Sequence, residues 1–363
     1  MYIEKLKSPA DLKALNLEAL QVVAAETRDA VLNRVSQHGG HIGPNLGFVE
    51  ATVALHYVFD APKDKFVFDV SHQTYAFGFL GTLEDMDAIS GYSSPTECPE
   101  YDNFEVGHTS TSISLATGLQ KARDLKGTDE NIIAVIGDGS LSGGEAFEGL
   151  NEASELGTGI LIVVNDNEMS IAENHGGIYK NMRALRESHG TCEHNWFKAW
   201  GFEYVYLEEG NDLEQLIKVF HSVKGATRPT VVHIHTEKGH GFAPAVQNKE
   251  AWHWGLPFDR TDGSRPEMPA QENYAQLFSD WMLHEMKHDK TLVAVTAGTP
   301  TVAGFNRAKR EEAGAQHVDV GIAEEQATAM ISGMAKGGLR PVWTVTSTFI
   351  QRAYDQIAQD LCI

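Results

Sequence analysis

Short apolar runs closed by glycine or a small polar residue alternate along most of this chain with segments of helical spacing. Residues 132–136 and 160–164 are rich in β-branched side chains and read as buried strands of a parallel sheet. Between them, residues 143–157 have helical spacing and close on Gly157, which predicts a β-turn-α-β unit. Helix-like segments near 11–36 and 48–58 precede it, and residues 230–235 predict a late strand running into Lys238-Gly239-His240-Gly241. From Phe242 to about Gln271, four prolines (Pro244, Pro257, Pro266 and Pro269) interrupt any regular pattern, so a linker is expected there. Beyond it come a helix near 274–287, strands at 291–296 and 317–320, a helix from Ala323 to about Lys336, and a strand at 341–346. The predicted class is α/β. A doubly wound, mostly parallel sheet spans residues 1–242, a linker 243–271, and an incomplete second α/β domain of the same type 272–363.

A length of 363 residues accommodates two domains, and 42% hydrophobic residues suffices for full cores. The net charge of −21 argues against nucleic acid or an anionic membrane as partner, because both demand a basic face. Cys98, Cys192 and Cys362 lack metal-ligand spacing and suit a reducing, cytoplasmic setting without disulfides. No signal peptide is visible, and no apolar run approaches the length of a membrane span.

Candidate chemistry concentrates where the two best strands end. Asp138, in Gly137-Asp138-Gly139-Ser140, and Asn167, in Asn165-Asp166-Asn167, stand at carboxyl ends of predicted strands, the edge where open α/β sheets bind ligands. Mg²⁺ takes oxygen ligands and shares them between one or two carboxylates, waters and substrate phosphates. Asp138 supplies a carboxylate, Asn167 a side-chain carbonyl, and the main chain around Met169 a third oxygen. Gly139 lets the backbone approach a phosphate, Ser140 beside it is a further cofactor-binding candidate, and the following helix presents free N–H groups. Either motif alone is more often a turn or a loop. Together across one β-α-β unit they point to a metal-diphosphate site.

This arrangement resembles the thiamine diphosphate signature, and six ordered blocks narrow the resemblance to the 1-deoxy-D-xylulose-5-phosphate synthase family, relatives of transketolase. The blocks are His41-Ile42-Gly43-Pro44-Asn45-Leu46-Gly47, Asp69-Val70-Ser71-His72-Gln73, Val106-Gly107-His108-Thr109-Ser110-Thr111-Ser112, Asn165-Asp166-Asn167-Glu168-Met169-Ser170-Ile171, Ile322-Ala323-Glu324, and residues 347–356 from Ser347 through Phe349 and Arg352. The resemblance implies a thiamine diphosphate-binding fold, thiamine diphosphate and Mg²⁺ as cofactors, and a homodimer. It also implies a transferase that condenses pyruvate with glyceraldehyde 3-phosphate and releases CO₂, in the making of isoprenoid precursors, thiamine and pyridoxal.

The resemblance also distributes roles. Glu324 stands where the family's carboxyl contacts the cofactor's aminopyrimidine; a lone glutamate there would otherwise be a helix-start residue favoured by the dipole. His72, with Gly107, His108 and Thr109, lines the cofactor, while His41 and His253 look like the substrate-facing histidines. Ile171 supports the bend of the cofactor, Phe349 stacks on its pyrimidine, and Phe242 supplies a ring near it. Arg352 reads as a guanidinium for the carboxylate-bearing donor. His175, His189, His233 and His235 have no motif support and read as structural.

Departures fall on the substrate side. Phe242 replaces a usual tyrosine, Thr346 another, residues 206–212 differ from the family's run, and the segment 178–196 is shorter than its counterpart. The chain reads as the first half to three-fifths of such an enzyme, either truncated or one part of a split enzyme with a separate C-terminal partner chain. Two alternatives stand beside the leading one: transketolase-like ketol transfer, and a non-catalytic fragment. A nicotinamide-binding domain is disfavoured, because the Gly-Asp-Gly turn lacks Gly-x-Gly-x-x-Gly spacing.

Overall fold

The computed structural model describes residues 2–6, 8–82, 90–266 and 273–363, so the end of the expected linker, residues 267–272 with Pro269 and Gln271, lies outside the described residues. The strands in chain order are β1 (Gly40–His41), β2 (Lys65–Phe68), β3 (Ile132–Gly137), β4 (Ile160–Asp166), β5 (Glu203–Leu207), β6 (Thr230–His235), β7 (Trp254–Gly255), β8 (Leu292–Thr296), β9 (His317–Asp319) and β10 (Arg340–Trp343). They form two compact units. The first comprises Met1–Leu141, Glu145–Met169 and Lys180–Pro266, and the second Ser142–Gly144, Ser170–Tyr179 and Glu267–Ile363.

In the first unit the order β2-β3-β4-β6-β5 is parallel throughout. Alternation along the strands explains how both faces are used. Ile133, Val135, Leu161, Val163, Val232 and Ile234 join a core built with residues of the helices Leu17–His38, Val49–Val58 and Leu213–Val223. Ile132, Ala134, Ile136, Ile160, Ile162 and Val164 point the other way and are equally buried, with the helix Ser112–Lys126 packed on β2 and β3. Because every strand is parallel, all five carboxyl ends share one edge.

The segment expected as one early helix divides into a 3-10 turn, Pro9–Ala14, and the helix Leu17–His38. Asn16 separates them: its backbone is extended and its side chain caps the helix by accepting from the Ala19 N–H. The proline-rich stretch after Phe242 contains the short helix Ala243–Gln247 and β7, which pairs antiparallel with β1. Phe242, Trp252 and Phe258 pack edge to face and tilted there, with ring centroids 4.9–5.6 Å apart. Prolines stop long elements but leave room for an aromatic cluster, which holds this stretch to the first unit.

The second unit carries a three-stranded parallel sheet, β10-β8-β9. Only β8 is buried along its length, while β9 and β10 are half-buried. Asp319, at the end of β9, accepts the N–H groups of Gly298 and Gly321 and the Thr296 hydroxyl, fixing the turn that leads into the helix Glu324–Lys336.

Candidate active site

In the first unit, successive strand ends deliver the candidate residues to one edge of the sheet. The chain leaves β2 through Asp69, then adopts left-handed backbone at Val70 (φ 60°) and Ser71 (φ 68°) before His72. Positive φ at a β-branched residue is strained and persists only where its surroundings fix it. Here buried Asp69 is the anchor, accepting the N–H groups of Ser110 (2.8 Å) and Ser112 (3.1 Å). The Ser110 hydroxyl in turn donates to the Ser140 carbonyl, tying the strand-end loops together. Gly107, His108 and Thr109 occupy the loop entering that turn, and a side chain at Gly107 would meet nothing within 4 Å.

Beyond β3, Asp138 and Ser140 are buried in the 3-10 turn Asp138–Ser142 that also contains Gly139. Beyond β4, Asn167 Oδ1 accepts the Met169 N–H at 3.3 Å, and Glu168 is left-handed (φ 67°). The residues flanking Asn167 are clamped. Asp166, fully buried, accepts from Arg186 Nη1 (2.5 Å), pairs with His233 Nε2 (2.9 Å) and accepts the Glu168 N–H (3.0 Å). Arg186 also reaches Glu168 at 3.0 Å. Burial pushes the Asp166 carboxyl up, but the His233 bond and the charges of His233 and Arg186 outweigh it and hold the group below the ordinary carboxylate range. His233, whose Nδ1 meets the Tyr204 hydroxyl at 2.7 Å, thus belongs to the support of this loop.

Three of the candidate histidines converge. Ring centroids lie 5.3 Å apart for His41 and His72, 5.2 Å for His41 and His253, and 5.6 Å for His72 and His253. Asn45 organises the group: its amide donates to the carbonyls of His41 (2.8 Å) and His72 (2.7 Å) and its oxygen accepts the Tyr75 N–H (3.0 Å). The β1–β7 pairing brings His253 alongside, with the Ile42 N–H donating to the His253 carbonyl. Burial, reinforced by the Lys238 charge, lowers His41 to about 4; burial with the charges of His41 and Lys238 lowers His72 as well. Both rings are therefore neutral at pH 7. His72 Nδ1 is buried with no hydrogen-bond partner among the described residues.

Sequence reasoning passed over Lys238, which follows β6 and is 1% exposed. Burial lowers its ammonium to about 7 against the opposing attraction of Asp138. The signal was its place at a fourth strand end in a glycine-flanked turn, where a buried lysine has no packing rationale. Phe242 is buried, and its ring packs against Trp252 and Phe258.

In the second unit, Glu324 opens its helix and is 3% exposed. Burial raises its carboxyl, with Arg352 pulling the other way. Arg352 Nη1 lies 3.6 Å from Glu324 Oε2, an ion-pair distance beyond hydrogen-bond reach, and that oxygen has no hydrogen-bond partner among the described residues. Phe349 and Arg352 share the 3-10 turn Phe349–Ala353; Phe349 and Ile171 are both half-buried. Among the described residues no group of three or more His, Cys, Asp or Glu is arranged to hold a metal.

The family model described as 1-deoxy-D-xylulose-5-phosphate synthase matches residues 3–194 and 186–236, and that of the transketolase pyrimidine binding domain matches residues 270–363. The chain belongs to the 1-deoxy-D-xylulose-5-phosphate synthase family. Relatives of that name from Desulforudis audaxviator and Chlorobaculum tepidum are 38% and 37% identical over 97% and 99% of this chain. The chain spans 62% and 64% of their lengths. Among solved structures, transketolases from Campylobacter jejuni (TM-score 0.55) and Leishmania mexicana (TM-score 0.52) are both 17% identical, covering 94% and 93% of this chain and 67% and 66% of theirs. They share its fold.

The 1-deoxy-D-xylulose-5-phosphate synthase and transketolase families use thiamine diphosphate with a divalent metal ion, typically Mg²⁺. The residues present fit such a group. Glu324 offers a buried carboxyl of raised pKa with an oxygen lacking a hydrogen bond, as a partner for a ring nitrogen requires. Asp138 and the Asn167 amide offer the few hard oxygens that a cation sharing phosphate ligands needs. No helix of the described residues is long and apolar enough to cross a membrane.

Proposed function

We propose that the enzyme containing this chain condenses pyruvate with glyceraldehyde 3-phosphate to 1-deoxy-D-xylulose 5-phosphate, with loss of CO₂. The observation that carries this reading is the convergence of neutral His41 and His72 with His253 in the unit whose strand-end edge bears Asp138. Thiamine diphosphate, when bound, supplies a carbon centre that tolerates the carbanion left by decarboxylation. Every other task falls to residues of the chain.

In the first unit, Asp138, Asn167 and the main chain at Met169 would hold Mg²⁺, while Gly107, His108, Thr109, Gly139 and Ser140 would receive the diphosphate. Lys238, its ammonium lowered by burial to about 7, stands at a strand end of the same sheet and is only partly charged at neutral pH. Neutral His41 and His72, with His253, donate hydrogen bonds to substrate oxygen and pass protons. In the second unit, Glu324 would hydrogen-bond the aminopyrimidine nitrogen of the bound cofactor, Ile171 and Phe349 would pack against it, and Arg352 would draw in the donor carboxylate. Phe242 acts from behind, through the aromatic cluster that seats the His253 segment. This reading divides the chain into a diphosphate-binding domain over 1–242, a connecting stretch over 243–271, whose part up to Pro266 packs with the first unit, and a pyrimidine-binding domain from 272, in an enzyme that works as a homodimer.

The test mixes the complete enzyme with both substrates. CO₂ release that depends on glyceraldehyde 3-phosphate supports the reading. Turnover of a ketose phosphate donor with pyruvate untouched assigns ketol transfer instead.

A further inference from the structure

Tyr92 lies outside every motif described above, yet its hydroxyl sits 3.0 Å from His41 Nδ1, with the rings edge to face at 5.9 Å. Its placement is built. Gly91 is left-handed (φ 94°), and a Cβ there would come within 2.5 Å of the Tyr75 ring, so only glycine lets the chain pass so closely. The Thr74 hydroxyl donates to the Gly91 carbonyl at 2.8 Å, and the Tyr92 N–H donates to the Ser90 hydroxyl at 3.3 Å. On the other side, His41 is held by Asn45 through its carbonyl, and its own N–H faces the Tyr75 hydroxyl at 3.4 Å. Both partners of the contact are thus fixed by independent bonds.

The direction of that bond decides what His41 presents. A neutral imidazole carries one hydrogen, on Nδ1 or on Nε2. If Nδ1 carried it, the phenol would accept, and its own proton would face no other acceptor among the described residues. A half-buried hydroxyl left in that state loses the bond it could make. If the phenol donates, its proton is bonded to Nδ1 and the imidazole hydrogen sits on Nε2, which is not among the buried atoms lacking a partner. Burial, with the nearby Tyr75, raises the Tyr92 phenol, so its proton stays in place at neutral pH, while His41 stays neutral. We infer that Tyr92 is a positioning residue: by donating to Nδ1 it locks His41 as the Nε2–H tautomer, a fixed hydrogen-bond donor towards substrate oxygen. The substrate part of this statement rests on the role given to His41 above. The tautomer does not.

The experiment is ¹⁵N–¹H correlation of histidine side chains in this chain, with His41→Gln to assign the His41 signals. The wild type is expected to show one tautomer, with a protonated Nε2 and an acceptor-type Nδ1. Tyr92→Phe is expected to lose that pattern, the two nitrogen shifts moving together as tautomers exchange. Incorporating 3,5-difluorotyrosine at position 92, which makes the phenol more acidic at nearly constant shape, shifts the Nδ1 signal further in the direction of stronger acceptance. A protonated Nδ1 in the wild type, or an Nε2–H pattern that survives Tyr92→Phe, overturns the inference. In the complete enzyme, Tyr92→Phe lowers kcat and leaves the affinity for thiamine diphosphate unchanged, the split expected for a misdirected donor. Absence of pyruvate decarboxylation in the wild type would remove the proposed reaction, and the spectra would still decide the tautomer.

Discussion

In the first unit the candidate residues stand at the ends of strands buried along their length, and bonds to main-chain or amide groups fix the loops around them. In the second, Glu324 and Arg352 stand on a helix start and a 3-10 turn beside half-buried strands, and they face each other across 3.6 Å with a carboxylate oxygen lacking a hydrogen bond. A buried polar group left so is costly unless a ligand completes it. The contrast sets a region whose strand-end loops are tied down by main-chain and amide bonds, with His72 Nδ1 still unpartnered among the described residues, against one whose buried carboxylate has, among those residues, a single ion-pair neighbour and an oxygen awaiting a ligand.

The sharpest way to break the contrast is to neutralise the reactive group. Glu324→Gln keeps shape and burial while removing the acid, and a fall of roughly 10²–10⁴ in kcat of the complete enzyme at saturating cofactor is expected. A change of less than fivefold would place Glu324 among ordinary helix-start residues. On the anchoring side, Arg186→Met strips a cation from fully buried Asp166 and should destabilise the first unit by about 3–5 kcal/mol in urea; an unchanged midpoint would mean that His233 alone suffices.

Packing should follow the same divide. Ile162→Ala in β4, where the side chain is fully buried, is expected to cost about 2–5 kcal/mol. Val342→Ala in β10, half-buried, should cost only about 1 kcal/mol. Hydrogen-exchange protection of the two sheets reads both, and equal losses would erase the distinction.

Acid adds a smaller, graded effect. Burial lowers His56 to about 4, with the Phe77 carbonyl bond opposing and Lys13 assisting. The unfolded chain takes up this proton near pH 6.5 and the native state only near 4. This contribution is therefore fully present above about pH 6.5 and is lost as pH falls towards 4, at up to about 1.4 kcal/mol per pH unit. Denaturation midpoints at pH 7 and pH 4.5 check it. A His56→Gln variant should show a shallower fall.

The parallel sheet was legible because β-branched runs such as 132–136 and 160–164 have little alternative to burial, and Gly-Asp-Gly marks a strand end by its turn chemistry. The gathering of His41, His72 and His253 was not legible from spacing. It depends on β1 and β7, two residues each with no apolar pattern, and on Asn45 bridging two carbonyls. Lys238 and Tyr92 escaped for a related reason. A lysine or a tyrosine in a loop reads as surface until the fold shows what encloses the one and which nitrogen meets the other.

Isothermal titration of the chain with thiamine diphosphate and Mg²⁺, repeated with Asp138→Ala, tests most directly whether the strand-end pair Asp138 and Asn167 anchors metal and diphosphate. The account predicts Mg²⁺-dependent binding to the wild type and its loss in the variant. Equal binding by both proteins would contradict it.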